Sequence, residues 1–114
     1  MRSVLIVDDD AEVTTALARL LRLRGWRVIE ERDGLRALRT LEVEQVDAVI
    51  ADERMAGAAG AFLLETVHRS WPSVRLVMLS GEPSESGRAR VEAIGGVVLT
   101  KWMSLGEVLE AIGG

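Results

Sequence analysis

Four polar groups in the chain each stand at the end of a short apolar run. Asp8, Asp9 and Asp10 follow Val4-Leu5-Ile6-Val7, and Asp52 follows the run from Asp47 to Ala51. Ser80 and Gly81 follow Val74 to Leu79, and Lys101 follows Val97 to Thr100. Brought together, they would form a set of carboxylates, a hydroxyl and an ammonium. Crowded carboxylates repel, and one must stay protonated unless a cation lies among them. A hard divalent ion, Mg²⁺ or Mn²⁺, removes that conflict. Mg²⁺ takes one or two carboxylates, waters and a phosphate oxygen as ligands. A lysine ammonium serves as a point charge for the same phosphate. A serine hydroxyl can hydrogen-bond one of its oxygens, and Gly81 leaves room for close backbone approach. The set suits phosphoryl transfer onto a carboxylate nucleophile. Asp52 is the expected acceptor, because it ends an apolar strand and a loop of small residues, Met55 to Gly60, follows at once.

The elements that must position these groups are legible as a pattern. Val4 to Val7 is apolar on both faces, as a central parallel strand covered by helices would be. Further strands are expected over Trp26 to Glu30, Asp47 to Ala51, Val74 to Leu79 and Val97 to Thr100. Helical spacing intervenes each time. Val13, Leu17, Leu20 and Leu21 mark one helix, with Asp10 as N-cap and Gly25 as its stop. Leu35, Leu38 and Leu41 mark a second, and Phe62, Leu63 and Val67 a third that ends before Pro72. Glu82 to Ile94 carries only a thin stripe, Val91 and Ile94. Ser104 and Glu107 form a capping box ahead of Leu105, Val108, Leu109 and Ile112. Alternating strands and helices call for a parallel sheet with right-handed crossovers. In such a sheet all strands point their C-terminal ends to one edge, where ligands bind.

Totals exclude several alternatives. The chain has 114 residues, enough for one domain, and 48% are hydrophobic, enough for a core. A net charge of -4 argues against direct nucleic-acid binding, which needs a basic face. There is no cysteine, hence no disulfide or thiolate site, and no apolar run reaches membrane-span length. A cytoplasmic protein is expected.

VLIVDDD, AVIADERMAGAAG, VMLSG and VVLTKW, in this order, resemble the receiver domain of bacterial two-component response regulators. The resemblance covers nearly the whole chain and implies a flavodoxin-like (βα)5 three-layer sandwich with strand order 2-1-3-4-5. It implies that Asp52 is the phosphoacceptor. It also implies that Asp8, Asp9, Asp52 and the backbone carbonyl of Arg54 hold the metal. Ser80 would be the switch hydroxyl and Lys101 the phosphate-binding lysine, with Gly81 beside them. The implied donor is a sensor histidine kinase or a histidine phosphotransfer protein. An output domain or a homodimer would use the face of the fourth and fifth helices. No enzymatic turnover is implied beyond self-phosphorylation from small donors and self-dephosphorylation.

The chain departs from the family pattern in three places. Ala56 precedes Gly57 where the family usually has proline nearby. Trp102 follows Lys101 where proline is common, so the cis bond that often aims the lysine is not expected. Val98 stands where the family carries an aromatic that swings inward on activation. The last helix stops early, at Gly113-Gly114, as in a receiver domain spanning 1–114 and cut from a longer regulator. The alternative is a receiver-like interaction module whose switching is degraded.

The bland readings are weaker. Asp8 to Asp10 could cap the first helix, but one acid suffices for that. Glu53 and Arg54 are expected to face solvent, and Arg88 and Arg90 to form a solvated face. A flavin protein is excluded, because three aspartates after the first strand would repel the phosphate that such a loop must bind.

Overall fold

The computed structural model describes residues 1–55, 58–101 and 103–113. Five parallel strands form one sheet: β1 (Ser3–Val7), β2 (Arg27–Glu31), β3 (Ala48–Asp52), β6 (Arg75–Ser80) and β7 (Val97–Thr100). Their spatial order is β2-β1-β3-β6-β7, which is 2-1-3-4-5 when the sheet's own strands are counted in sequence. The helices are α1 (Ala11–Leu23), α2 (Gly34–Val43), α3 (Gly60–Ser70), α4 (Glu85–Ala93) and α5 (Leu105–Ala111). The expected three-layer α/β sandwich is therefore the observed one.

Side chains alternate across each strand with a period of two, and the core divides accordingly. Val4, Ile6, Ile50 and Val77 face α1 and α5 and pack with Leu17, Leu21, Val108 and Ile112. Leu5, Val7, Val49 and Met78 face α2, α3 and α4 and pack with Leu41, Leu64, Val67 and Val91. β1 and β3 are buried along their whole length, whereas the edge strands β2 and β7 are only partly covered. The continuous apolar runs follow from cover on both faces.

The caps hold where they were expected. Asp10 accepts from the Glu12 amide at 3.0 Å, and Gly25 adopts φ 89°, which ends α1. Ser104 and Glu107 make a reciprocal capping box on α5. Ser84 caps α4, whose inward residues reduce to Gly87 and Val91.

Three expected core leucine and phenylalanine positions point outward instead. Leu20 is exposed because Thr14, Leu17, Ala18 and Leu21 already form the inward stripe of α1. Leu35 is exposed because Gly34, Ala37 and Leu41 face the sheet. Phe62 yields its place to Ala61, Leu64 and Val67. In each helix the small inward residues bring the backbone close to the sheet, and the larger neighbour is pushed to the side.

An element absent from the pattern lies directly after β3. Two short antiparallel strands, β4 (Arg54–Met55) and β5 (Ala58–Ala59), pair Arg54 with Ala59 and Met55 with Ala58. The departures at Ala56, Gly57 and Trp102 lie outside the described residues. No described helix is long and apolar enough to cross a membrane.

Candidate functional site

The strand order places the C-terminal ends of β1, β3, β6 and β7 side by side. Asp8 directly follows β1 and is buried, with 2% exposure. Asp52 is the last residue of β3 and Ser80 the last of β6, and both are buried. Lys101 directly follows β7 and is half-buried. Its backbone amide donates to the Ser80 carbonyl at 3.0 Å, which continues the β6–β7 pairing to the edge. Asp9 is exposed beside Asp8. The expected cluster therefore exists as one crevice.

Asp8, Asp9 and Asp52 each offer a carboxylate oxygen, and these oxygens lie within 4.8 Å of one another. Lys101 Nζ stands 3.0 Å from Asp52 Oδ1 and 3.8 Å from Asp8 Oδ2. Three carboxylates against one ammonium leave two negative charges, the charge that one divalent cation would cancel. The donor set is all oxygen, as hard cations prefer. The residues present therefore fit a divalent metal.

Two titrating groups register this crowding. Burial pushes the Asp8 carboxyl above its ordinary value, and the charges of Asp52 and Asp9 add to that. The Asp10 amide, at 2.9 Å from Asp8 Oδ1, and Lys101 work in the opposite direction without prevailing. For Lys101, burial pulls down, but the hydrogen bond and charge of Asp52, with Asp8 and Asp10 behind it, raise the ammonium above its ordinary value. Lys101 thus stays charged. Arg32 steadies the loop by donating to the Asp8 carbonyl and to the Thr14 hydroxyl.

The remaining expected residues sit nearby with mixed outcomes. Arg54 lies in β4 with its side chain exposed, as expected. A Cβ at Gly81 would meet no atom within 4 Å, so the space beside it is open. Ser80 Oγ accepts from the Glu82 amide at 3.2 Å. Val98 packs against the core, half-buried.

Glu53 corrects the sequence reading. It was expected to face solvent, yet it is buried, with 8% exposure. Its carboxylate accepts from the Ser84 amide at 3.2 Å and from the Ser84 hydroxyl. Burial pushes this carboxyl up, but hydrogen bonds from Ser84 and Ser80 outweigh it and hold the group below its ordinary value. A signal for this was present. Gly87 lies in the first turn of α4, where glycine is a poor helix former, and such a glycine often marks a close approach. Arg88 and Arg90 are exposed, as expected, and Arg90 also pairs with Glu65 of α3.

Comparison with known proteins gives a consistent result. Residues 4–113 match the family model described as "Response regulator receiver domain". The chain is 33% identical over 110 residues to the transcriptional regulatory protein PrrA of Mycobacterium bovis, covering 96% of this chain and 47% of that protein. It thus spans about half the length of that relative. The signal receiver domain of an HD domain-containing protein from Pseudomonas fluorescens Pf-5 superposes with a TM-score of 0.89 at 27% identity, covering 97% and 83% of the two chains. A response regulator from Burkholderia pseudomallei, crystallised with a phosphorylated aspartic acid, a calcium ion and citrate, superposes with a TM-score of 0.90, covering 98% and 66%. At 23% identity this last likeness speaks for the fold alone.

Proposed function

The chain belongs to the response regulator receiver domain family, and from that premise we propose that Asp52 accepts a phosphoryl group in a two-component phosphorelay. One observation carries the reading: a single lysine ammonium spans Asp52 and Asp8 beside a third carboxylate, within hydrogen-bond reach of the proposed nucleophile. A carboxylate oxygen of Asp52 attacks the phosphorus of a phosphohistidine. The new O–P bond forms as the N–P bond breaks, and the departing imidazole nitrogen keeps the electron pair and later takes a proton.

Asp8, Asp9, Asp52 and the backbone carbonyl of Arg54 would hold the divalent ion, Mg²⁺ or Mn²⁺. When bound, that ion supplies charge neutralisation for the transferring group. Lys101 pairs with an oxygen of the phosphoryl group once it is in place. Ser80 turns its proton toward another. The added charge then biases an equilibrium between two surface conformations. The proposed donor is a sensor histidine kinase or a histidine phosphotransfer protein. The receiver would act in the cytoplasm on an output domain or a second copy through the α4–α5 face, as part of a longer regulator. It would not turn over a substrate, and its only own chemistry would be self-phosphorylation from small donors and self-dephosphorylation.

Incubation with acetyl phosphate and Mg²⁺, followed by intact mass, tests this. One phosphoryl group is expected on the wild type and none on Asp52→Asn. An unchanged wild-type mass rejects the reading.

A second reading rests on Val98, a branched side chain packed against the core that has no aromatic ring to swing. On that reading the domain binds its partner without regard to phosphorylation. Partner affinity with and without a phosphoryl mimic separates the two.

A further inference from the structure

Glu53 adjoins the proposed phosphoacceptor and takes no part in the chemistry above. Its backbone is fixed from two sides. The amide donates to the Leu79 carbonyl and the carbonyl accepts from the Gly60 amide, each at 2.9 Å. From that backbone the carboxylate reaches the first turn of α4. In an ordinary capping box the third helical residue is a Glu whose side chain accepts from the amide of the N-cap residue. In α4 that third residue is Gly87, and the amide of the N-cap, Ser84, donates to Glu53 instead. Ser84 Oγ completes the box by accepting from the Gly87 amide at 3.0 Å. Glycine at this position leaves the space that the Glu53 carboxylate occupies. A Cβ at Gly87 would lie 2.3 Å from Glu53 Oε2 and 2.8 Å from Ser84 Oγ. The capping carboxylate of α4 is thus supplied by another element, from the residue next to Asp52.

We propose that Glu53 is a positioning residue that couples the phosphorylation state of Asp52 to the N-terminal turn of α4 through the amide and hydroxyl of Ser84. This rests on the phosphoacceptor reading above. Glu53 directly follows Asp52 and holds the Ser84 amide and hydroxyl. A phosphoryl group on Asp52 brings added negative charge beside that carboxylate. The charge repels Glu53, so its hold on Ser84 changes. The path runs from β3 to α4 without passing through β7, where Val98 replaces the swinging aromatic. It explains how a receiver without that aromatic could still report its state at α4. It also gives Gly87 a reason to stand where helix propensity disfavours it.

The test follows amide hydrogen exchange by NMR in the full chain, with Mg²⁺ and acetyl phosphate, while intact mass is read in parallel. In the wild type, exchange at Gly87 and Arg88 should change on the order of tenfold upon phosphorylation, the factor that one charge-assisted hydrogen bond is worth. In Glu53→Gln the mass gain should persist, while the change at these amides falls to less than about twofold. A merely structural role would lower protection in both states and leave the phosphorylation-dependent ratio intact. Should Glu53→Gln not fold, Gly87→Ala displaces the same carboxylate without altering it and should show the same loss of coupling. Mass gain in the wild type with no response at α4, or a full response in the variants, overturns this inference alone. No mass gain in the wild type overturns the phosphoacceptor reading and this inference with it.

Discussion

Lys101 Nζ lies 3.0 Å from Asp52 Oδ1 and 3.8 Å from Asp8 Oδ2, so one side chain joins the ends of three strands. The Lys101–Trp102 bond, whose cis form would cost roughly 3 kcal/mol, lies outside the described residues, yet the ammonium reaches both carboxylates. Lys101→Met keeps the stem and removes the charge. Phosphorylation of Asp52 by acetyl phosphate should slow about 100-fold, in line with the loss of one oriented charge donor at a reacting group. Initial rates by intact mass check this. A slowing of less than about threefold would place the lysine outside the reaction.

Asp8 is the group most burdened by its surroundings. Its folded carboxyl titrates above the ordinary value of 3.8, first because of burial and then because of Asp52 and Asp9. For a raised acid, the protonated form is favoured by folding. Stability therefore falls as pH rises from about 3.8 through the folded value, and above that the cost is complete. Asp8→Asn keeps the oxygen that accepts from the Asp10 amide and removes the charge. Without divalent metal it should be more stable than the wild type near neutral pH by about 1 to 3 kcal/mol. The difference should vanish toward acid pH. Millimolar Mg²⁺ should reverse the order, because it stabilises the variant that binds it better. Thermal melts at several pH values, with and without Mg²⁺, read both effects.

Gly60 begins α3 where a side chain has no room. A Cβ there would lie 2.1 Å from the Asp52 carbonyl oxygen and 2.9 Å from its carbon. Backbone cannot step aside as a flexible side chain can. Gly60→Ala should cost about 3 kcal/mol in urea unfolding, at the upper end for overpacking. Because the strain falls on Asp52, phosphorylation should slow as well. An unperturbed unfolding midpoint would mean that α3 can shift away from β3.

The strands, the parallel sheet and the polar groups at its edge were legible because each rests on a strong local signal, whereas the strand order followed from the family resemblance. An apolar run covered on both faces reads as a central strand, and a carboxylate at its end reads as an edge group. Leu20, Leu35 and Phe62 were misplaced because helical spacing gives a stripe's direction only to within one neighbour. Small residues such as Ala18, Ala37 and Ala61 then took the contacts. The β4–β5 hairpin escaped because two-residue strands carry no period. Glu53 escaped for a different reason. Its burial depends on Ser84, 31 residues later, and Gly87 signals only that something approaches α4 closely, without naming the side chain that does.

α4 and α5 begin with the same reciprocal cap, made once across the fold and once within a helix. Ser104 and Glu107 are both exposed, so Ser104→Ala should cost about 1 kcal/mol, as an ordinary cap does. Ser84→Ala removes the same hydroxyl but also takes a donor from the buried Glu53 carboxylate. A buried acceptor left short of donors adds about 1 to 3 kcal/mol, so the second variant should be the less stable by that margin. The pH dependence separates them further. Glu53 titrates below its ordinary 4.5, so the stability it contributes is present above pH 4.5 and lost as pH falls through the folded value. Ser84→Ala removes one cause of that depression. Its deficit against the wild type should therefore shrink on acidification through that window. The deficit of Ser104→Ala carries no contribution from Glu53 and should not follow that window. Urea unfolding at pH 7 and in steps through and well below pH 4.5, as far as the wild type stays folded, reads both comparisons. Equal costs for the two serines at pH 7 would show that Glu53 draws little on Ser84.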